Sequence, residues 1–353
     1  MRLALVVSVL LLLVSILLML LATIIFRFVR TKLEARSATY EAELRTMLVR
    51  FLSEDLSLSE LRVLKKIHSS QFDEISEAML TKVKGRAKDI LVSFLYSRGA
   101  IDQAITRTRK FGYLGRCKAA MFLGNVGIPE ARVPLESMLR DRRRDVRTIA
   151  VRCLGQLGKP ESVPALLSAV DDDEHPVPFG TVLVALMRIG SSGKELMKAG
   201  LNSGGGQRRA AIAEILGMEG STEDTPDLIS LLENDPSFEV KVRSARALGR
   251  IGSPKAIPSL NKYLDSGQPT ALRIVCCGAL AAIGDRETVP EIISLLSDGN
   301  DQLARAAANA ASQMGPTGIK YLNLAATSNS KGASFAKEAL ARLAAQAPRI
   351  SQD

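Results

Sequence analysis

Five arginines fall between residues 140 and 147: Arg140, Arg142, Arg143, Arg144 and Arg147. Guanidinium groups at that density can hold carboxylates or phosphates through paired N–H donors. They are equally what a solvated turn carries, and both readings stand at this point. One stretch further on, Asp171-Asp172-Asp173-Glu174-His175 gathers four acids and a histidine. Consecutive acids on a turn do not converge on one ion as spaced ligands do, so no metal site is read there. Gly204-Gly205-Gly206 follows a helical pattern and lacks the Lys-Ser/Thr of a phosphate loop, which makes it a plain loop. His68 and His175 are the two histidines, and neither stands in a context that pairs it with a Ser or Cys nucleophile. Cys117, Cys153, Cys276 and Cys277 show no CxxC and no zinc-like spacing. They are expected to be small, buried, reduced side chains. The expectation is a protein that is not an enzyme, with no catalytic residues, no metal and no cofactor.

What positions these residues is a repeat. Gly127, Gly158, Gly190, Gly220, Gly252, Gly284 and Gly315 follow one another at intervals of 31, 32, 30, 32, 32 and 31 residues. Before them stand segments such as FLGNVG (122–127), CLGQLG (153–158), ILGMEG (215–220), ALGRIG (247–252) and ALAAIG (279–284). Six residues after the glycine comes Pro164, Pro226, Pro258 or Pro290, and Pro134 follows its glycine by seven. The pattern predicts a first helix rich in Ala and Leu that lets neighbours approach closely. A glycine stops it, and a second helix tolerates proline in its first turn. Leu135/Leu139, Leu166/Leu167, Leu231/Leu232, Leu260/Leu264 and Leu295/Leu296 are the expected buried face of the second helices. A hairpin of this kind cannot bury its own apolar side, so it must stack. Stacking would set the turns 140–144, 171–175, 202–206, 234–236 and 298–301 along one edge that passes from basic to acidic. Arg147, Arg209, Lys241 and Arg273 share one repeat position and read as links between repeats.

The chain here resembles the HEAT family in its short form, also called phycobilisome-lyase-type repeats. Asp145-Val146-Arg147, Ala150, Leu154-Gly155, Val163-Pro164 and Leu166-Leu167 carry the likeness in one repeat. It covers residues 113–345. The repeat at 176–206 matches least, with Val184-Ala185-Leu186 and Ile189-Gly190 but no proline. The resemblance implies an all-α chain, a right-handed α–α superhelix, whose common thread is protein binding. Composition agrees on the class, with aromatics at 4% and no Trp.

Ahead of the repeats, Leu3 to Phe26 runs without a charge. At about 1.5 Å per residue it reaches about 36 Å, enough to cross a bilayer core of about 30 Å. A cleaved signal peptide would have a shorter core and small residues at its cleavage site. Arg2 precedes the span, while Arg27, Arg30, Lys32 and Arg36 follow it, so the positive-inside rule places the remainder in the cytoplasm. The expected organisation is an anchor with its basic flank (1–30), a helical connector with a degenerate first repeat (31–112), the solenoid (113–345) and a short tail (346–353). In the connector one helix is expected over 71–97, with Phe72, Ile75, Met79, Val83, Ile90 and Phe94 buried and Gly99 ending it.

The net charge of +10 is uneven. Residues 113–158 hold nine Lys and Arg against four Asp and Glu, whereas 159–353 hold 20 against 22. A basic membrane-proximal half fits anionic lipid head groups or an acidic partner surface. The sequence therefore reads as an inner-membrane, single-pass scaffold for another membrane or membrane-associated protein, with an accessory place in an envelope or polysaccharide-synthesis complex as one setting it suggests. Nucleic-acid binding, as in HEAT-like DNA glycosylases, is the alternative that a pI near 9.6 raises. The anchor, the scarce aromatics and the acidic far half weigh against it. A bilin lyase-like enzyme is the third reading, and no residue here matches a catalytic role in it.

Overall fold

The computed structural model describes residues 76–110, 112–202 and 204–346, with Met19, Thr23 and Thr46 besides. The expected span at 3–26, its flank Arg27, Arg30, Lys32 and Arg36, His68 and most of the connector lie outside the described residues. Among the described residues the regular elements are α-helices and short 3-10 turns, and none of the helices is long and apolar enough to cross a membrane. The chain divides into two compact units, 1–110 and 111–353.

In the first unit, residues 76–80 are helical, followed by α1 (Arg86–Ser97) and α2 (Ala100–Lys110). The single helix expected over 71–97 is therefore broken. Val83 N–H still bonds back to the Met79 carbonyl, but Gly85 then takes φ 59° and restarts the chain. The restart resets the helical phase. Leu80, Leu91 and Leu95 are buried with Phe94, while Met79, Val83 and Ile90 are only half-buried.

The second unit is a stack of helical hairpins. Its first helices are α3 (Tyr113–Val126), α5 (Arg144–Leu157), α7 (Phe179–Ile189), α9 (Gly206–Glu219), α11 (Phe238–Ile251), α13 (Thr270–Ile283) and α15 (Asp301–Gln313). Its second helices are α4 (Arg132–Ser137), α6 (Val163–Val170), α8 (Lys194–Ala199), α10 (Thr225–Asn234), α12 (Ile257–Asn261), α14 (Val289–Ser294) and α16 (Gly315–Thr327). A last helix, α17 (Ala333–Gln346), packs on α15 and α16. Successive odd-numbered helices form one layer, closely packed from α3 to α7 and again from α9 to α15, with a lighter contact between α7 and α9.

The repeat glycines do two different jobs. Gly158 closes α5 at φ 64°, ψ 23°, donating its N–H to the Leu154 carbonyl, a left-handed cap that a side chain resists. The glycines closing α3, α9, α11 and α13 do the same. The glycine three residues earlier lies inside the helix instead. A Cβ on Gly217 would stand 2.6 Å from Ala247 Cα, and one on Gly249 would stand 2.7 Å from Ala279 Cα. Those backbones touch because no side chain separates them. The prolines stand in the first turn of the second helices, with Pro164, Pro226, Pro258 and Pro290 each the second residue of α6, α10, α12 and α14. All ten leucines expected on the second-helix face are buried. The hairpin at 176–206 departs from the rest: Gly190 takes φ 63°, ψ −151°, and a 3-10 turn at Gly190–Gly193 replaces the proline start.

Candidate functional site

The turns join repeat to repeat through a charged ladder. Arg116 on α3 grips Asp141 with Nε 2.7 Å from one carboxylate oxygen, while Asp141 also accepts the Arg143 N–H at 2.9 Å. Arg209 on α9 holds Asp235 in the same way, and Asp235 accepts the Ser237 N–H at 2.8 Å. Arg273 on α13 holds Asp298 at 2.6 Å and donates a further bond to the Leu264 carbonyl at 2.8 Å. Burial alone would raise the Asp141 and Asp235 carboxyls, but the guanidinium and backbone hydrogen bonds outweigh it and hold both below the ordinary range. An aspartate fixed from both sides in this way sets where one hairpin ends and the next begins.

Arg147 belongs to this ladder and not to a binding surface. It is 5% exposed, donating to the Asp141 carbonyl at 2.7 Å and the Pro176 carbonyl at 2.9 Å. Its inclusion with the other four arginines is thus corrected: α5 turns its third residue after Arg144 inward, against the turn of the next repeat. Arg140, Arg142, Arg143 and Arg144 are exposed. Arg143 stands over the Tyr113 ring at 5.4 Å. Arg140 lines a cleft of about 380 Å³ with Glu136 and Asp172. Among the described residues Arg142 and Arg144 have no ion-pair partner. These four form an outward cationic corner, and the acid within it, Asp141, is already held by Arg116.

The acidic stretch at 171–175 is likewise divided. Asp171 accepts the Gly205 N–H at 2.8 Å and the Arg208 N–H at 3.1 Å, fastening the start of α9 across the stack. Asp172 accepts the His175 N–H at 2.8 Å, a bond that leads the causes holding its carboxyl below the ordinary range. Asp173 and Glu174 face solvent. Among the described residues no three His, Cys, Asp or Glu side chains converge. All four cysteines are buried, and burial pushes the thiols of Cys153, Cys276 and Cys277 up to about 12.

Two ionic clusters were not singled out in the sequence. Asp224, fully buried at the start of the second helix of its hairpin, meets Lys194 at 2.8 Å and Lys198 at 3.1 Å from α8. It ties in the irregular hairpin that lacks a proline. Glu214, 4% exposed on α9, is ringed by Arg243, Arg246 and Arg250 of α11. Burial raises its carboxyl, and Arg250 foremost, then Arg243 and Arg246, bring it below the ordinary range. Arg243 also lies over the Phe179 ring at 4.6 Å, reaching past α9 to α7. Charges spaced three and four apart on a helix read as a solvated face. The available signal was the register, which sets Glu214 and Arg246 at the same place in successive repeats.

The outer side of the odd-numbered helices also exposes apolar side chains: Leu114, Met121, Val184, Met187 and Met218. Met187 and Met218 border a groove of about 440 Å³ between consecutive hairpins.

The family described as HEAT repeats matches residues 104–188 and 194–275. No curated protein matches the chain. Among solved structures, an engineered protein is similar at 19% identity over 80% of this chain and 87% of that one, with a TM-score of 0.37. The CpcE–CpcF complex of phycocyanin lyase from Nostoc sp. is similar at 23% identity, over 71% and 92% of the two chains, TM-score 0.28. Human deoxyhypusine hydroxylase is similar at 17% identity, over 88% and 99%, TM-score 0.30.

Proposed function

We propose that this HEAT-repeat chain is a non-catalytic scaffold for protein–protein interaction, held at the inner membrane by residues 3–26 with its repeats in the cytoplasm. The observation that carries the binding role is the exposed methionine and valine surface on the odd-numbered helices, above the close helix contacts at Gly217 and Gly249. Methionine side chains on a rigid backbone make an adaptable apolar contact that can repack to fit a partner. The cationic corner at Arg140, Arg142, Arg143 and Arg144 supplies a second, polar contact for an acidic face of the partner. Tethering is supported by the uncharged run at 3–26 and the four cations after it. The same cations at Arg27, Arg30, Lys32 and Arg36 would meet anionic lipid head groups. A place in an envelope or polysaccharide-synthesis complex is the setting this arrangement fits.

Two measurements test the two halves. Crosslinked pull-down from native membranes is expected to recover a membrane or membrane-associated protein whose capture requires residues 111–353. Recovery of none sinks the scaffold role. Alkaline carbonate extraction is expected to leave the full chain in the membrane pellet and to release a chain lacking residues 1–36. If the full chain is extracted, the tether is wrong.

A further inference from the structure

Three arginines of α11 share too little negative charge. Arg250 and Arg243 bond Glu214, and Arg243 also meets Glu239 at 2.7 Å. Arg246 reaches Glu214 only at 4.0 Å and is 45% exposed, and Arg250 is 39% exposed. Both line a groove of about 310 Å³ between α11 and α13, floored by Gly249, Gly278, Ala279 and Ala282. One wall is thus cationic, and the floor is backbone and methyl groups.

Gly278 is the anomaly in that floor. It occupies the position six residues before the closing glycine, where earlier repeats carry Met121, Arg152, Val184, Glu214 and Arg246. Gly249 is explained by its contact with Ala279, but a Cβ on Gly278 would meet nothing within 4 Å. Glycine in the middle of a helix weakens it relative to alanine. Packing within the chain gives nothing back for that weakness. What its smallness does provide is a stretch of helix backbone that another chain can approach closely.

We propose that this groove docks an acidic, amphipathic segment of a partner protein. A carboxylate of the segment pairs with Arg246 and Arg250, and an adjacent apolar side chain rests on Gly278, Ala279 and Ala282. Charge complementarity selects the acid: three guanidinium groups surround one buried carboxylate and one exposed one. The floor selects a polypeptide over a phosphate-bearing ligand. It is the side of two helices, where backbone N–H groups are spent on the helices themselves, so it offers none of the donors with which a phosphate is cradled. The proposal deepens the scaffold reading and rests on it.

The test places a photo-crosslinking amino acid at Ala282, and separately at Met218, in the full-length chain in native membranes. The expected product at position 282 is a polypeptide adduct whose mapped segment carries carboxylates within one helical turn of the crosslink. Its yield is expected to fall at least tenfold in Arg246→Glu and, independently, in Gly278→Leu. The second variant fills open space and so leaves the fold in place, which an unchanged helical circular dichroism spectrum verifies. An adduct at 218 with none at 282 overturns the groove and leaves the scaffold standing, whereas none at either position overturns both. Lipid adducts at 282, a segment without carboxylates, or a yield indifferent to both substitutions also overturn the groove.

Discussion

Within one helix layer, two glycines with the same local conformation are set for opposite responses to the same substitution. At Gly217 a Cβ falls 2.5 Å from the Ala247 Cβ, so Gly217→Ala must push α9 from α11, at about 1–3 kcal/mol. At Gly278 the space is open, and Gly278→Ala should stabilise by about 0.5–1 kcal/mol through helix propensity alone. Urea midpoints moving in opposite directions at unchanged slope would show it. Midpoints that move together would mean that helix separation does not govern this layer. A second residue-scale prediction concerns acid. The Glu214 carboxyl is lowered in the folded chain, so its contribution is fully present above the unfolded value near 4.5. That contribution is lost as pH falls through the lower folded value. Glu214→Gln lacks this term, so the gap in thermal midpoint between the natural chain and the variant should shrink on going from pH 6 to pH 3. A gap that stays constant or widens would contradict the assignment.

Three turns act as elements of their own, because each is pinned by one arginine from the first helix of its hairpin: Asp141 by Arg116, Asp235 by Arg209 and Asp298 by Arg273. Asp235→Ala frees Arg209 from its partner and strips the acceptor from the Ser237 N–H, at about 1–3 kcal/mol. Hydrogen exchange should rise first around 204–208 and 235–238, and uniform loosening of the whole chain would contradict the ladder. The same logic separates the arginines at 140–147. Arg147→Ala leaves two carbonyls without a donor and should lower the thermal midpoint. Arg142→Ala and Arg144→Ala should change stability by less than about 0.5 kcal/mol while weakening partner capture. Much of this scale was legible in the sequence, since the glycine interval marked the ends of the first helices as far as α13 and the proline offset marked the starts of α6, α10, α12 and α14, although Gly315 opens α16 instead of closing α15. The shared position of Arg147, Arg209, Lys241 and Arg273 announced links at the turns, which Arg209 and Arg273 make to carboxylates and Arg147 and Lys241 to backbone carbonyls. What it hid was direction. Arg147 and its exposed neighbours have identical chemistry, and only the phase of α5 turns one of them inward. The break at 81–85 was hidden for a related reason: one positive-φ glycine shifts every later side chain by part of a turn, so Leu91 and Leu95 replaced Ile90. The groove beside Arg246 escaped notice because an uncontacted glycine inside a helix looks, in sequence, like a packing glycine.

At the scale of the whole second unit, stability is a sum over neighbours. Most odd-numbered helices pack chiefly on the one before and the one after, the lighter α7–α9 contact excepted, so energy does not converge on one central core. The contact of Arg243 with Phe179 reaches past one hairpin, and a single exposed ring contact of this sort is worth about 0.5–1 kcal/mol. That is too little to couple the ends of the stack. Ending the chain after Met314 removes α16 and α17 and uncovers the apolar side of α15, including Leu303, Ala307 and Ala311. The expected result is local: α15 and the hairpin before it lose hydrogen-exchange protection, while α3 to α9 keep theirs. The helical signal should fall in proportion to the residues removed or exposed. Loss of protection from end to end would instead mean one cooperative core. The function depends on the difference, because a stack that yields first at its far end keeps the Arg246 groove, between the closely packed α11 and α13, in place while the last hairpins open.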